Sequence, residues 1–134
     1  MIGFISCPFC QILTGAINKK TLFENETGFV VSDSFPITLG HSLIISKRHV
    51  GSFFEVTQQE RQHLFDLIDQ AKAYLDEEHK PACYNIGIND GETAGQTIPH
   101  LHIHLIPRYE EPGKDPRGGV RWLVPEKADY WSKP

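Results

Sequence analysis

Apolar residues recur along this chain with two different periods, and each period predicts a different kind of element. Between residues 57 and 78 they return every three or four positions, which predicts one long helix with a single apolar stripe. Thr57 and Glu60 have the spacing of a capping box at its start, and Lys80-Pro81 ends it. The stripe consists of Leu64, Leu67, Ile68, Ala71 and Leu75.

Short apolar runs bounded by turn residues predict strands, and one further segment predicts a short helix. The strand segments are residues 20–25, 28–33, 41–46, 84–88 and 99–109, and the helix segment is 7–14. Pro8 suits the first turn of that helix and Gly15 its end. The connections between strands are short, so the pattern predicts an antiparallel sheet with helix packed on one face, an α+β domain.

The last strand segment has a strict alternation of histidine with Leu or Ile. The histidines are His100, His102 and His104. Alternate side chains of a strand share a face, so the three imidazoles are predicted to line one surface. Imidazoles are costly to bury without partners, so a run of three favours function. Two interpretations remain at this point: a metal cluster, or a site where an imidazole performs covalent or acid–base chemistry.

Composition narrows the class of protein. The 134 residues are 40% apolar and 22% charged, which favours a single globular domain over 1–134. Its predicted core is residues 7–109, followed by a Gly/Pro-rich, charged tail over 110–134. A net charge of −4 without a basic stripe disfavours binding to a nucleic-acid backbone, although small nucleotides remain compatible.

The sequence also bears on the location of the protein and on the role of its tail. We expect no membrane span, because no apolar run approaches ~20 residues. The N-terminus lacks the pattern of a signal peptide, so three cysteines predict reduced thiols in the cytoplasm. Two interpretations of the tail stay open: it reaches a partner subunit's pocket and sets leaving-group preference, or it is a solvated extension. Its candidate side chains are Lys114, Arg117, Arg121 and Trp122.

The histidine strand can support chemistry at phosphorus without a metal. A neutral imidazole is nucleophilic, and it can form a covalent phosphoramidate that water later clears. Gly95-Gln96-Thr97 lies just before the strand and offers backbone amides, an amide side chain and a hydroxyl to a phosphoryl group. This combination favours phosphoryl or nucleotidyl transfer.

Cys7 and Cys10 have C-x-x-C spacing. This spacing suits a tetrahedral zinc site once two further ligands are found, and it equally suits a redox pair. The pair alone does not decide between them.

Together these motifs resemble the histidine triad (HIT) superfamily, whose signature is His-x-His-x-His-x-x with apolar x. The resemblance also includes residues 40–45 with Lys47-Arg48-His49, and Asn89 with residues 94–97. It covers residues 7–109 and is greatest to the Hint-like and bacterial diadenosine-polyphosphate-hydrolase-like branches. The resemblance implies a HIT-like α+β fold: a five-stranded antiparallel sheet with one long and one short helix. It further implies a homodimer whose two sheets join into ten strands.

The resemblance also implies an activity. Such a protein is a nucleotide hydrolase or transferase that attacks the α-phosphate of AMP conjugates, either phosphoramidates or dinucleoside polyphosphates. The attack proceeds through a covalent nucleotidyl-histidine intermediate and requires no metal. Two alternatives stay open: a nucleotide-binding or scaffold protein with slow or vestigial catalysis, and a metalloenzyme that uses the three triad histidines as zinc ligands.

The family's functional residues fall on definite positions of this chain. The nucleophile falls on His102, the phosphate contact that helps the leaving group on His104, and the fourth histidine on His41. Asp33 falls on the ribose-contacting position. The full nucleotide-binding set is Asp33, Asn89, Gly95, Gln96 and Thr97, and the candidates for the wall around the base are Phe9, Ile12 and Phe29.

The resemblance also completes a zinc site. In several bacterial members the ligands that join the two cysteines are a histidine after the upstream strand and the first triad histidine. Here the set becomes Cys7, Cys10, His49 and His100. Four protein ligands leave no open coordination position, so this zinc is expected to be structural. The backbone carbonyl of His100 then remains available to hold the proton-bearing nitrogen of His102.

Overall fold

A five-stranded antiparallel sheet forms the body of the protein, as seen in a computed structural model that describes residues 6–132. Its strands pair in the order β1-β2-β3-β5-β4. The strands are β1 Phe23–Glu24, β2 Gly28–Ser32, β3 Ser42–Ser46, β4 Cys83–Gly87 and β5 His102–Arg108, and the helices are α1 Pro8–Thr14 and α2 Gln58–His79. The predicted α+β class, with one long and one short helix, is confirmed.

Helix α2 begins and ends where the sequence indicates. The Thr57 hydroxyl accepts from the Glu60 backbone N–H (3.1 Å), and the Glu60 carboxylate accepts from the Thr57 backbone N–H (2.9 Å). These two bonds satisfy donors that the first turn leaves without helical partners. Lys80 ends the helix in the left-handed region, with φ 51°. The buried residues of α2 are Leu64, Leu67, Ala71 and Leu75, which belong to the predicted stripe.

The sheet has a different apolar layer on each face. One layer packs β2, β3 and β5 against α2 and includes Val30, Ile44 and Ile103. The alternate residues of the same strands point to the opposite face, where Phe29 and Ile45 pack beneath α1. Because Ile103 faces α2, its neighbours in β5 face the α1 side. This alternation places the last two triad histidines on the side of the sheet that α1 covers.

Replacing Gly28 with alanine is expected to lower the free energy of unfolding by about 1–3 kcal/mol. An added Cβ would lie 2.7 Å from Leu64 Cδ2 and 2.8 Å from the Ile45 carbonyl oxygen, so α2 and β3 would have to move apart. Urea denaturation measures the change. Gly51→Ala is the matched control, because its Cβ would meet its nearest neighbour at an ordinary 3.8 Å. Equal losses for the two variants would contradict this account of how α2 packs on the sheet.

The tail beyond β5 folds largely on itself. Short 3-10 turns at Gly119–Leu123 and Pro125–Lys127 are clasped by two cation–ring contacts, in which Arg117 lies 4.8 Å from the Trp131 ring and Arg121 4.6 Å from the Tyr130 ring. Neither helix within residues 6–132 combines the length and apolar character of a membrane span.

Candidate active site and metal centre

The triad histidines divide between two clusters on the α1 side of the sheet. The rings of His102 and His104 lie 5.2 Å apart, and His41, just before β3, brings its ring within 5.1 Å of His104. His100 lies before β5 begins and packs against His49, with ring centroids 4.9 Å apart. The three imidazoles therefore lie on the same side of the sheet, as predicted, but they belong to two separate groups of side chains.

His102 is held in one tautomer by its own strand. Its Nδ1 lies 2.8 Å from the backbone carbonyl oxygen of His100, which can only accept, so Nδ1 carries the proton. The neutral ring therefore has its lone pair on Nε2. The Phe9 ring packs edge-on at 5.0 Å and fixes the imidazole from α1. This hydrogen bond is the one predicted from the sequence.

His41 and His104 form a hydrogen-bonded pair beside a carboxylate. The Ile37 backbone N–H donates to His41 Nδ1 (3.2 Å), which places the proton of neutral His41 on Nε2. That nitrogen lies 2.9 Å from His104 Nδ1 and 3.3 Å from Asp33 Oδ2. Accepting at Nδ1 leaves neutral His104 with its proton on Nε2.

Burial shapes the protonation of this pair. Loss of hydration lowers the pKa of His104, and the neighbouring His102 and His41 lower it further, while Asp33 opposes them. The pKa of His41 is also lowered by burial, again against the raising effect of Asp33. Both groups are therefore held as neutral imidazoles to lower pH than in water.

Asp33 contacts both its own turn and the histidines. Oδ1 accepts from the Phe35 backbone N–H (2.8 Å), and Oδ2 faces His41. The Asp33 backbone N–H donates to the His41 carbonyl (2.9 Å), which joins the end of β2 to the start of β3. The carboxylate is thus fixed in direction, and it also lines the adjoining cavity.

A cavity of about 520 Å³ opens over His41, His102 and His104. Its apolar lining includes the predicted base-wall residues Phe9 and Ile12, whereas Phe29 is only 1% exposed and lies in the layer beneath. The other apolar lining residues are Pro8, Ile17, Phe35, Ile37, Leu43 and Ile98, and the remaining polar ones are Lys19, Asp33, Ser34, Asn89, Gly95 and Thr97. A larger hollow of about 720 Å³ lies between the tail and β4, but none of the histidines lines it.

Gln96 differs from the sequence expectation. Its side chain accepts from the Gly91 backbone N–H (2.8 Å) and donates to the carbonyls of Gly51 (2.9 Å) and Ile98 (3.1 Å). It is absent from the cavity lining, which its neighbours Gly95 and Thr97 reach. Gln96 therefore holds the loop before β5 in shape, while its neighbours Gly95 and Thr97 line the cavity.

Cys7, Cys10, His49 and His100 converge at the other end of the histidine run, with one ligand atom of each within 4.8 Å of the others. His100 Nε2 donates to the Ser46 carbonyl (2.6 Å), so the lone pair on Nδ1 faces the sulfurs, 3.3 Å from Cys7 Sγ and 3.6 Å from Cys10 Sγ. His49 Nδ1 lies 3.2 Å from Cys10 Sγ and 3.1 Å from His100 Nδ1.

These separations suit a tetrahedral ion. Zinc bonds of about 2.0–2.3 Å give ligand-to-ligand distances of roughly 3.3–3.8 Å in a tetrahedron. The two-sulfur, two-nitrogen donor set is one that zinc favours. Burial, together with the nearby Cys7, raises the pKa of the Cys10 thiol to about 11, so an ion that binds here has to displace protons.

The geometry disfavours a single metal held by all three triad histidines. Among the described residues, close groups of ligand atoms place His100 with the two cysteines and His104 with Asp33 and His41, while His102 belongs to neither group.

Stability is expected to fall as the pH drops below the ordinary imidazole pKa of 6.5, because His41 and His104 have lowered pKa values in the folded state. The unfolded chain then binds protons more readily, so the contribution is complete above pH 6.5 and is lost as the pH falls through the folded values. Urea unfolding over about pH 5–8 measures the slope. A His41→Gln/His104→Gln double variant should show a shallower slope; an unchanged slope would contradict the assignment.

Comparison with known proteins identifies a matching family and related crystal structures. The family model described as the HIT domain matches residues 14–111. A crystal structure of a HIT family protein from Bacillus anthracis is 37% identical and superposes with a TM-score of 0.74, covering 78% of this chain and 74% of that one.

Two further relatives are a zinc-bound protein and an enzyme. A Zn-bound histidine triad family protein from Mycobacterium smegmatis is 30% identical, with a TM-score of 0.75 and coverage of 84% and 82%. Bis(5'-adenosyl)-triphosphatase from Saccharomyces cerevisiae is 29% identical over 86% of this chain, and the match spans 53% of that enzyme.

Proposed function

This chain belongs to the HIT family, and on that premise we propose that it is a nucleotide hydrolase or transferase acting on AMP conjugates. In this proposal His102 Nε2 attacks the α-phosphorus and forms a covalent nucleotidyl-histidine intermediate, which water clears. The observation that carries the proposal is the 2.8 Å contact between His102 Nδ1 and the His100 carbonyl oxygen. This contact fixes the proton on Nδ1 and so leaves the lone pair on Nε2.

The rest of the site supports this use of His102. Gly95 and Thr97 line the cavity on the loop before β5, where a backbone amide and a hydroxyl can meet developing charge on the phosphoryl oxygens. Asn89 reaches the same cavity, and His104 Nε2–H is the donor that we assign to the leaving group. Phe9 and Ile12 form part of an apolar wall suited to a purine.

Across the sheet, the order of the strands orients a bound nucleotide. Asp33 follows β2, His41 precedes β3, His102 and His104 lie on β5, and Asn89 follows β4. With the phosphate at His102, the nucleoside extends toward Asp33 and α1. We assign Asp33 to the ribose hydroxyls, because a carboxylate can accept two hydrogen bonds.

We further propose that Cys7, Cys10, His49 and His100 hold a structural zinc ion. A zinc ion bound there would cross-link α1 to the segment after β3 and to the segment before β5. It would take no part in the chemical step. The donor set and the 3.1–3.6 Å separations of its sulfur and nitrogen atoms support this assignment. The free thiols suit a reducing compartment, and we place the protein in the cytoplasm.

We propose that residues 1–134 form one domain and that two copies join their sheets. Within residues 6–132, β4 pairs only with β5, so its other edge is open to a second copy. Light scattering after gel filtration is expected to give twice the 15.2 kDa of one chain. A mass of 15.2 kDa at micromolar concentration would contradict the dimer, and with it any contribution of the tail to a partner's pocket.

A substrate panel tests the activity. AMP release is measured from an adenosine 5′-phosphoramidate, from adenylylated lysine and from a dinucleoside polyphosphate, while calorimetry measures AMP binding to the same protein. Turnover of at least one conjugate, with AMP as product, is expected. Tight binding of AMP with no turnover of any conjugate would instead identify a nucleotide-binding protein without this catalysis.

A further inference from the structure

The Asp33 carboxylate faces the His41–His104 pair as well as the cavity. Its Oδ2 lies 3.3 Å from His41 Nε2 and 3.9 Å from His104 Nδ1. The His41 ring is buried, and the Asp33 side chain is only 14% exposed, so little water competes for these contacts. Oδ1 accepts from the Phe35 backbone N–H, so Oδ2 is the oxygen that faces the imidazoles, and each oxygen keeps a second lone pair for a ribose hydroxyl.

The number of protons on the His41–His104 pair determines whether it can act as an acid. In the neutral pair, His41 Nε2–H donates to His104 Nδ1, and His104 has its only proton on Nε2. If the neutral pair gave that proton to a leaving group, it would be left as an imidazolate anion. This anion is strongly disfavoured near neutral pH. An effective donor therefore needs one more proton on the pair.

The position of that extra proton is restricted. His41 Nδ1 already accepts from the Ile37 backbone N–H, so it cannot take the proton. If the proton goes to His104 Nδ1, two N–H groups meet across 2.9 Å, unless His41 Nε2–H turns to another acceptor. Asp33 Oδ2, at 3.3 Å, is placed to be that acceptor.

We propose that the Asp33 carboxylate holds the extra proton on the His41–His104 pair and is thereby a positioning residue for the donor to the leaving group. This inference rests on the proposed function. It adds a second role to the ribose contact of Asp33.

With an amine leaving group, the reaction proceeds in two halves. The lone pair of His102 Nε2 forms a bond to phosphorus as the P–N bond breaks, and its electron pair goes to the departing nitrogen. That nitrogen takes the proton from His104 Nε2, so the His41–His104 pair becomes neutral. In the second half, water attacks phosphorus, its proton returns to the pair, and His102 Nε2 leaves with its electron pair.

Asp33 is the group that favours a positive charge on His104. Burial lowers the pKa of His104, and His102 from the same strand and His41 from the start of β3 lower it further, whereas Asp33 raises it. An extra proton on the pair therefore depends on this carboxylate. The other charged side chain lining the cavity is Lys19, from the α1–β1 connection, and it cannot stabilise a proton. Among the residues that line the cavity, Asp33 alone supplies negative charge.

Asp33→Asn tests the inference, because the amide oxygen can keep the turn bond to the Phe35 N–H while an NH₂ group replaces Oδ2. Turnover is measured with two AMP conjugates: an alkylamine phosphoramidate, whose amine must be protonated as it leaves, and a 4-nitrophenyl ester, whose phenolate leaves without a proton. We expect kcat for the amine substrate to fall about 100-fold, as for loss of general-acid assistance. We expect kcat for the nitrophenyl ester to change little.

Two further measurements separate this role from ribose binding. The alkylamine substrate is also tested in its 2′,3′-dideoxy form, on which Asp33→Asn should cause the same fold-loss in kcat. The basic limb of the kcat–pH profile should move to lower pH, because the proton has lost its carboxylate. Glu92→Gln, which removes an exposed carboxylate outside the cavity, should leave this profile unchanged.

Equal losses with both leaving groups, or a loss confined to KM that disappears with the dideoxy substrate, would overturn the inference and leave the proposed function standing. Failure of the proposed function gives a different result: the His102→Ala variant would then hydrolyse the amine substrate as fast as the native protein.

Discussion

Replacing His102 with alanine is expected to reduce turnover of an AMP phosphoramidate by roughly 10⁴- to 10⁶-fold, as for loss of a nucleophile that acts within a catalytic set. No other cavity histidine has an equivalent nitrogen, because His41 Nε2 and His104 Nδ1 face each other at 2.9 Å. The measurement is AMP release under saturating substrate, with AMP affinity followed by calorimetry.

The expected pattern is a loss of kcat with AMP binding preserved. His63→Ala is the matched control, because it removes an imidazole from α2 that lies outside the cavity and contacts Thr27 Oγ1 at 2.7 Å. That control should lose some stability and retain turnover. If the His102 variant kept a tenth or more of native kcat, another group would have to be the nucleophile.

Removal of zinc is expected to cost about 4 kcal/mol of unfolding free energy when the ion is present at 1,000 times its dissociation constant, which corresponds to a fall in Tm of roughly 10 °C or more. The reason is that the four side chains link α1 to segments far apart in the chain, from Cys7 to His100. Metal analysis gives the zinc content, and thermal unfolding with and without a chelator gives the change in Tm.

Two cysteine variants test whether the predicted ligands are responsible. Cys10→Ser should lower zinc content and remove most of the chelator effect. Cys83→Ser is the matched control, since Cys83 is exposed on β4, and its stability should stay within about 0.5 kcal/mol of native. A native protein whose Tm does not respond to a chelator would contradict a stabilising role for zinc.

The spacing of apolar residues was sufficient to predict the helices and strands, because in these elements the local sequence preferences agree with the tertiary packing. The stripe on α2 is the buried face of the helix, and the capping box of Thr57 and Glu60 is formed as expected. The alternation in β5 likewise follows from the geometry of any strand. It sends Ile103 toward α2 and its histidine neighbours toward α1.

The periodicity of a strand predicts which face of the sheet a side chain occupies, but it does not predict which other side chains it contacts. Parts of the site could therefore not be predicted from the sequence. Whether His100 groups with His102 or with the cysteines depends on where α1 and His49 pack in three dimensions. The pairing of Asp33 with His41 depends on the backbone bond that joins β2 to β3, and a sequence pattern does not show such a bond.

The roles of loop and turn side chains depend on contacts that the sequence does not predict. Gln96 looks like a phosphate ligand by its position, but three backbone groups engage its amide inside the loop. His63, on α2, contacts Thr27 Oγ1 at 2.7 Å and holds the β1–β2 turn. In both cases a polar side chain satisfies nearby backbone or turn groups, which spacing along a chain does not reveal.

The covalent step at His102 is tested most directly by stopping the reaction before water attacks. Native protein is mixed with an excess of adenosine 5′-phosphoramidate, quenched within milliseconds under alkaline conditions, digested and sequenced by mass spectrometry. We expect an adenylyl group on His102 that forms at least as fast as steady-state turnover. Turnover without any protein-bound nucleotide, or a nucleotide attached to His104 or His41 instead, would contradict the account.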